Sequence, residues 1–192
     1  MEQTTKPEKQ VPSRIIGVDP GTNVLGYAVI EIHQKQVTLI KMGVVKMAHL
    51  EDQPQKLKRI FEQVSDIISQ YSPKEMAIEA PFYSKNVQSM LKLGRAQGVA
   101  MAAGITSGVP ITEYSPKKIK QSVTGNGNAS KEQVAAMLAQ ILRTTLDTEY
   151  LDATDALATA VCHFYQANSP LAGLGKHKDW KSFISANPEK VK

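Results

Sequence analysis

Cysteine is almost missing from this chain: Cys162 is the only one among 192 residues. A lone thiol can build neither a disulfide framework nor a thiolate zinc site, so the expectation is a protein of a reducing compartment, the cytosol. Long apolar runs are missing as well. No stretch reaches the roughly 20 residues that cross a bilayer, and Met1 to Ser13 is polar, with Pro7 and Pro12 and without the apolar centre of a signal peptide. A soluble intracellular protein is expected. A strong charge imbalance is also lacking in the middle of the chain. The formal net charge is +5, but the stretch from Gln166 onward sets five lysines against Asp179 and Glu189, while residues 1–13 balance. Net charge is therefore a weak sign of nucleic-acid binding, and the local arrangement of charge must decide. What is plentiful is apolar material, 42% of residues, enough for one domain with an ordinary core.

The pattern along the chain predicts alternating strands and helices. Arg14 to Asp19 is a β-type run stopped by Pro20 and Gly21. Tyr27 to Ile32 and Val37 to Val45 follow as strands around the short polar link His33 to Gln36, an antiparallel meander. From Pro54 to Tyr71 the residues Leu57, Ile60, Phe61, Val64, Ile67 and Ile68 recur at helical spacing. Glu75 to Glu79 reads as a short buried strand, Asn86 to Thr106 as a long helix rich in small residues, and Pro110 to Tyr114 as a fifth strand. Ser115 to Val123, Ser130 to Leu142 and Leu151 to Gln166 read as helices, with a capping box at Ser130 and Gln133. The expected fold class is α/β, a five-stranded mixed sheet flanked by helices, in an order that resembles the ribonuclease H-like fold. Residues 14–166 form the domain, with a disordered extension before it (1–13) and a flexible tail after it (167–192).

Four carboxylates stand where chemistry is expected. Asp19 and Glu79 close the first and fourth strands, and the crevice beyond strand carboxyl ends is where sites form in open α/β sheets. Asp152 and Asp155 are three positions apart near the start of the last helix and so share a face. Anionic oxygens held close together raise one another's pKa unless a cation neutralises them. With oxygen donors alone, Mg²⁺ or Mn²⁺ is favoured, and a pair of such ions can serve phosphodiester hydrolysis. Each acid also has a plainer reading: Asp19 as a turn cap, Asp152 as a helix N-cap, Asp155 as a first-turn acid favoured by the helix dipole.

Read with their neighbours, the carboxylates form a series. Ile16-Gly17-Val18-Asp19-Pro20-Gly21-Thr22 with Gly26-Tyr27-Ala28-Val29 opens it; Ala77-Ile78-Glu79 with Phe82 and Lys85-Asn86, Leu91-Lys92-Leu93-Gly94, Glu113-Tyr114, Lys120-Gln121, Gly125 through Val134, and Asp152-Ala153-Thr154-Asp155-Ala156-Leu157-Ala158 continue it. The series resembles the RuvC family of Holliday-junction resolvases from Arg14 to about Gln166. The resemblance implies a homodimeric, Mg²⁺-dependent endonuclease that nicks opposed strands of a four-way DNA junction and works with the branch-migration proteins RuvA and RuvB. It also implies Asp19, Glu79, Asp152 and Asp155 as metal ligands. The chain departs from the family pattern where Arg95-Ala96-Gln97 exchanges the end residues of a common Gln-Ala-Arg.

Candidate DNA contacts follow from local charge. Lys117, Lys118, Lys120 and Lys131 lie between Tyr114 and Lys131 without an intervening acid, a clustering that phosphates reward through counterion release. Lys120 and Lys131 also fit the family pattern. Lys131 stands at a helix start beside the Gly125-Asn126-Gly127 loop, where backbone amides are expected to meet phosphate. Phe82, just past Glu79, is expected to stack on an unpaired base, with Tyr83 as the alternative. A solvated basic helix face is the plainer reading of the lysines. His33, His49, His163 and His177 form no motif, and His163 is expected to pack on its helix. A hybrid-cleaving nuclease of the same fold and a non-catalytic junction-binding module are the competing expectations.

Overall fold

The computed structural model describes residues 12–81, 86–146, 151–168 and 184–185. Phe82, Tyr83 and Lys85 therefore lie outside the described residues, as do nearly all of the expected amino-terminal extension and carboxy-terminal tail. Strands β1 (Ser13–Asp19), β2 (Val24–His33) and β3 (Gln36–Lys46) come first, then helix α1 (Gln53–Tyr71), β4 (Glu75–Glu79), α2 (Val87–Thr106) and β5 (Ile111–Tyr114). Helices α3 (Pro116–Thr124), α4 (Lys131–Leu142) and α5 (Leu151–Ala167) complete the order.

The strands form one sheet in the order β3-β2-β1-β4-β5. The first three pair antiparallel, with Asp19 opposite Gly26, whereas β4 runs parallel to β1 and β5 parallel to β4. This is the mixed sheet expected, and β2 and β3 extend further than alternation suggested. The link between them narrows to Gln34 and Lys35, both at positive φ, because the strands pair right up to His33 and Gln36.

Alternation along each strand sorts the core into two layers. Ile16 and Val18 of β1 with Met76 and Ile78 of β4 meet Ile60, Val64, Ile67 and Ile68 of α1 and the alanines of α2. Ile15, Ala28, Ile30 and Ala77 point to the other face, where α5 lies with Leu138 of α4 and Ile119 of α3. Nearly every inward position of α5 is small or apolar, from Ala153 to Phe164. Such a helix can press against the sheet closely, and it does. A Cβ placed on Gly17 would come within 2.1 Å of the Ala156 carbonyl oxygen, and one on Gly26 within 1.9 Å of the Asp152 carbonyl oxygen. These glycines set the depth at which α5 docks, so they also set where its acids stand.

Local capping supports the helix starts. Asp52, Asn86 and Ser115 each accept a hydrogen bond from a backbone N–H three residues on. Ser130 and Gln133 make the expected reciprocal box at α4.

Candidate active site

Parallel pairing brings the carboxyl ends of β1 and β4 side by side, since Val18 is the partner of Ile78. The next residues, Asp19 and Glu79, both belong to the face covered by α5, because they continue the alternation of Gly17 and Ala77. The first turn of α5 crosses above them. Carboxylate oxygens of Asp19, Asp152 and Asp155 all lie within 4.8 Å of one another. Glu79 stands just outside that trio and lines the same cavity, about 290 Å³, with Asp19, Asp155, Lys120 and Lys131. Asp152 lies within α5 rather than at an N-cap position, so its carboxylate is not committed to capping in the usual way.

The electrostatics of the cluster are those of crowded anions in a poorly hydrated place. Burial, then the charges of Glu79, Asp155 and Asp152, push the Asp19 carboxyl up to about 8 against the pull of Lys131. Burial and Asp155 push Glu79 up to about 7, against Lys131 and Lys120. The lysines are therefore part of the cluster's charge balance. Lys131 Nζ donates to Asp155 Oδ2 in a close ion pair. Burial alone would lower the Lys131 pKa, but the hydrogen bond to Asp155 and the surrounding acids outweigh it and raise it. An oxygen-only donor set in which burial and crowding raise the Asp19 and Glu79 carboxyls fits a hard divalent cation.

Of the lysines singled out by charge, Lys120 and Lys131 reach the cavity, whereas Lys117 and Lys118 do not line it. The methylene groups of Lys117 lie where a side chain on Gly127 would fall. The loop after α3 differs from expectation. Gly127 N–H donates to Gln121 Oε1 (3.0 Å), Asn126 N–H to Thr124 Oγ1 (3.1 Å) and Asn128 N–H to Asn126 Oδ1 (3.0 Å). At α4, Ser130 N–H and Gln133 N–H are taken by the capping box. Five of the amides at this corner, those of Asn126, Gly127, Asn128, Ser130 and Gln133, are thus occupied by local acceptors, which leaves the Lys120 and Lys131 ammonium groups as the cationic donors that face the cavity.

His163 is a second correction. It does not merely pack on its helix: its Nδ1 lies 2.8 Å from the Tyr114 hydroxyl and its Nε2 lies 2.6 Å from Glu75 Oε2. Sequence reasoning missed this tie because its members are far apart in the chain and share no motif. The exchanged Arg95-Ala96-Gln97 also finds a place. Arg95 is exposed, while Gln97 is buried and donates to Glu113 Oε2 at 2.7 Å, so the inward position suits the amide rather than a cation.

A sheet of this order, carrying acids from two strand ends and a crossing helix, defines a protein of the ribonuclease H-like class. Comparison with known proteins narrows it. Residues 15–163 match the family model described as crossover junction endodeoxyribonuclease RuvC, and the chain belongs to that family. The protein of that name from Cytophaga hutchinsonii is 58% identical over 184 residues, covering 96% of this chain and 90% of the relative. That from Porphyromonas gingivalis is 53% identical over 183 residues, covering 93% and 96%. Among solved structures, Thermus thermophilus RuvC in complex with a Holliday junction substrate superposes with a TM-score of 0.74 at 32% identity, over 80% of this chain and 94% of that one. Membership of this nuclease family carries divalent-metal use with it, in keeping with the acidic cluster.

Proposed function

We propose that this protein resolves four-way DNA junctions by Mg²⁺-dependent hydrolysis, nicking two opposed strands, one in each subunit of a homodimer. The observation that carries the proposal is the convergence of Asp19, Asp152 and Asp155 within 4.8 Å, with Glu79 on the wall of the same cavity. We assign these four as the ligands of two Mg²⁺ ions, with Mn²⁺ able to substitute. When bound, the ions supply an activated water and neutralise charge at the leaving oxygen.

The chain's own groups do the rest. Asp152 and Asp155 hold their carboxylates toward Asp19 because α5 is pressed onto Gly17 and Gly26. Lys120 and Lys131 flank the acids and hold the non-bridging oxygens of the scissile phosphate, offsetting the repulsion between a polyanion and four acids. For Lys131 this means exchanging Asp155 for phosphate as its partner. Lys117 and Lys118, exposed on α3, contribute to the backbone at longer range. Phe82 is assigned the stacking contact with an unpaired base at the crossover.

The dimer is assigned to α2, whose Val87, Leu91 and Ile105 are exposed apolar side chains (58%, 48% and 65%). RuvA and RuvB are the proposed partners in branch migration, and the cytoplasm is the proposed compartment. Among the described residues, no helix is long and apolar enough to cross a membrane. Residues 14–166 are the proposed catalytic domain.

The test is substrate competition. A synthetic four-way junction, a linear duplex and an RNA–DNA hybrid are incubated with protein and Mg²⁺, with Asp152→Asn in parallel. Symmetric nicking of the junction alone, lost in the variant while junction binding persists, is expected. Preferential hybrid cleavage refutes the substrate, and undiminished cleavage by the variant removes Asp152 from the site.

A further inference from the structure

Beyond the acids, Asp152 also borders a second depression of about 370 Å³, shared with Asn23, Leu151 and Lys46. Lys46 then enters a larger one of about 560 Å³ that runs along β3 toward α1, where Tyr27, Lys41, Arg59 and Gln63 line it. The two share Val44 and Lys46, so they form one continuous channel from the catalytic cluster to the sheet edge. Its larger part is walled by Lys41, Lys46 and Arg59 and by no acid. Lys41 and Arg59 are exposed and, among the described residues, form no ion pair. Close to the mouth, Lys56 Nζ is held by Asn23 Oδ1 at 2.7 Å. Among the described residues β3 pairs only with β2 and forms an edge of the sheet.

We infer that this channel is a binding track for the sugar–phosphate backbone of a DNA arm, with Lys41, Lys46 and Arg59 as its phosphate contacts. The inference rests on the nuclease reading above and extends it to where the DNA goes after leaving the carboxylates. Three features select DNA over another occupant. The cations come from two elements, Lys41 and Lys46 of β3 and Arg59 of α1, and line one open depression. Lys46 also borders the depression that reaches Asp152, a proposed catalytic residue. Tyr27 and Gln63 add neutral donors suited to phosphate oxygens. Lysine on an edge strand also has a plainer use, keeping the edge from pairing with another chain. The test must separate the two.

Junction affinity is measured by fluorescence anisotropy over a series of salt concentrations, with metal chelated so that no cleavage occurs, for the full chain and K41A/R59A. A charge-matched control, K35A/K74A, removes lysines from the opposite end of the sheet, at the β2–β3 turn and before β4. Each lost phosphate contact lowers the steepness of log K against log salt by about 1. K41A/R59A is expected to lower it by roughly 2, with affinity at fixed salt down on the order of tenfold. The control should change it little. Equal slopes for wild type and K41A/R59A overturn the track, and so does an equal loss in the control. Unchanged DNA binding together with increased light scattering assigns Lys41 to edge protection instead. If wild type neither binds nor nicks a junction, it is the nuclease reading that has failed, not the track.

Discussion

His163 Nε2 stands 2.6 Å from the Glu75 carboxylate at the start of β4, and the opposite ring nitrogen stands 2.8 Å from the hydroxyl of Tyr114 at the end of β5. One imidazole thus joins α5 to neighbouring strands. Its hydrogen bond to Tyr114 lies within the layer where the sheet meets the helix, and the partly buried phenol has its pKa pushed up to about 12, by burial first and then by Cys162 and Glu75. Elsewhere the same helix meets the sheet through glycine, alanine and branched apolar groups. A smooth contact of that kind sets depth well and register along the helix axis poorly; a directional hydrogen-bonded tie supplies the register.

Replacing His163 with phenylalanine keeps a flat aromatic ring, somewhat larger than imidazole, and removes both hydrogen bonds. The Tyr114 hydroxyl loses its bond in a half-buried place, and unfolding in urea is expected to show a loss of about 1–3 kcal/mol. Tyr114→Phe, which removes the hydroxyl itself, should cost less, about 1 kcal/mol. Equal, negligible losses in both would show that the tie contributes nothing to holding α5.

Gly26→Ala tests depth of docking. Its methyl group would lie 1.9 Å from the Asp152 carbonyl oxygen, a backbone atom that cannot rotate away. The first turn of α5 must retreat, carrying Asp152 with it. Overpacking costs typically about 1–3 kcal/mol, and junction cleavage is expected to fall more steeply than the unfolding free energy. A variant with wild-type cleavage would mean that Asp152 need not stand where the glycine lets it stand.

Stability in chelator should fall as pH rises. Asp19 is raised from 3.8 to about 8, and Glu79 from 4.5 to about 7. Between the unfolded and folded values the native state keeps protons that the unfolded chain has released. The unfolded state therefore binds fewer protons, and the free energy of unfolding decreases with pH through that window, by at most about 1.4 kcal/mol per pH unit for each proton retained. Melting temperatures measured from pH 5 to pH 8.5 in chelator should decline, and Asp19→Asn should flatten the decline. Divalent cation should flatten it in the wild type too, since it favours the ionised form. A flat profile in chelator would contradict the burial and crowding seen at Asp19.

Lys131→Gln removes the ammonium that pairs with Asp155. In the absence of DNA a divalent cation no longer competes with that ammonium for the carboxylate, so Mn²⁺ affinity measured by titration calorimetry should rise. Cleavage should move the other way, slower on the order of 10²-fold, as for loss of one preorganised donor at developing charge. If both quantities fall together, Lys131 supports the acids structurally and has no separate part in holding phosphate.

Much of the fold was legible from periodicity alone. The apolar spacing over α1, the short run Met76-Ala77-Ile78 and the capping pair Ser130 and Gln133 all express local rules, in which residues a few positions apart meet whatever the rest of the chain does. The candidate acids were legible for a related reason: a carboxylate closing an apolar strand is conspicuous in one dimension. The bonding of the Gly125 loop was less so, because its amides are claimed by Gln121, Thr124 and Asn126, side chains whose direction only the folded loop determines.

By itself the amino-acid sequence determined the order of strands and helices and the acids that end β1 and β4, since these follow from alternation and helical repeat. Only the tertiary structure decided that Asp152 and Asp155 close on Asp19 with Glu79 a little apart, that Lys131 sits among them, and that His163 reaches Glu75 and Tyr114. Those relations join positions far apart in the chain, 88 residues in the His163–Glu75 contact and further still between Asp19 and Asp155. They depend on strand order and on how closely one helix can approach two glycines, quantities that no local pattern encodes.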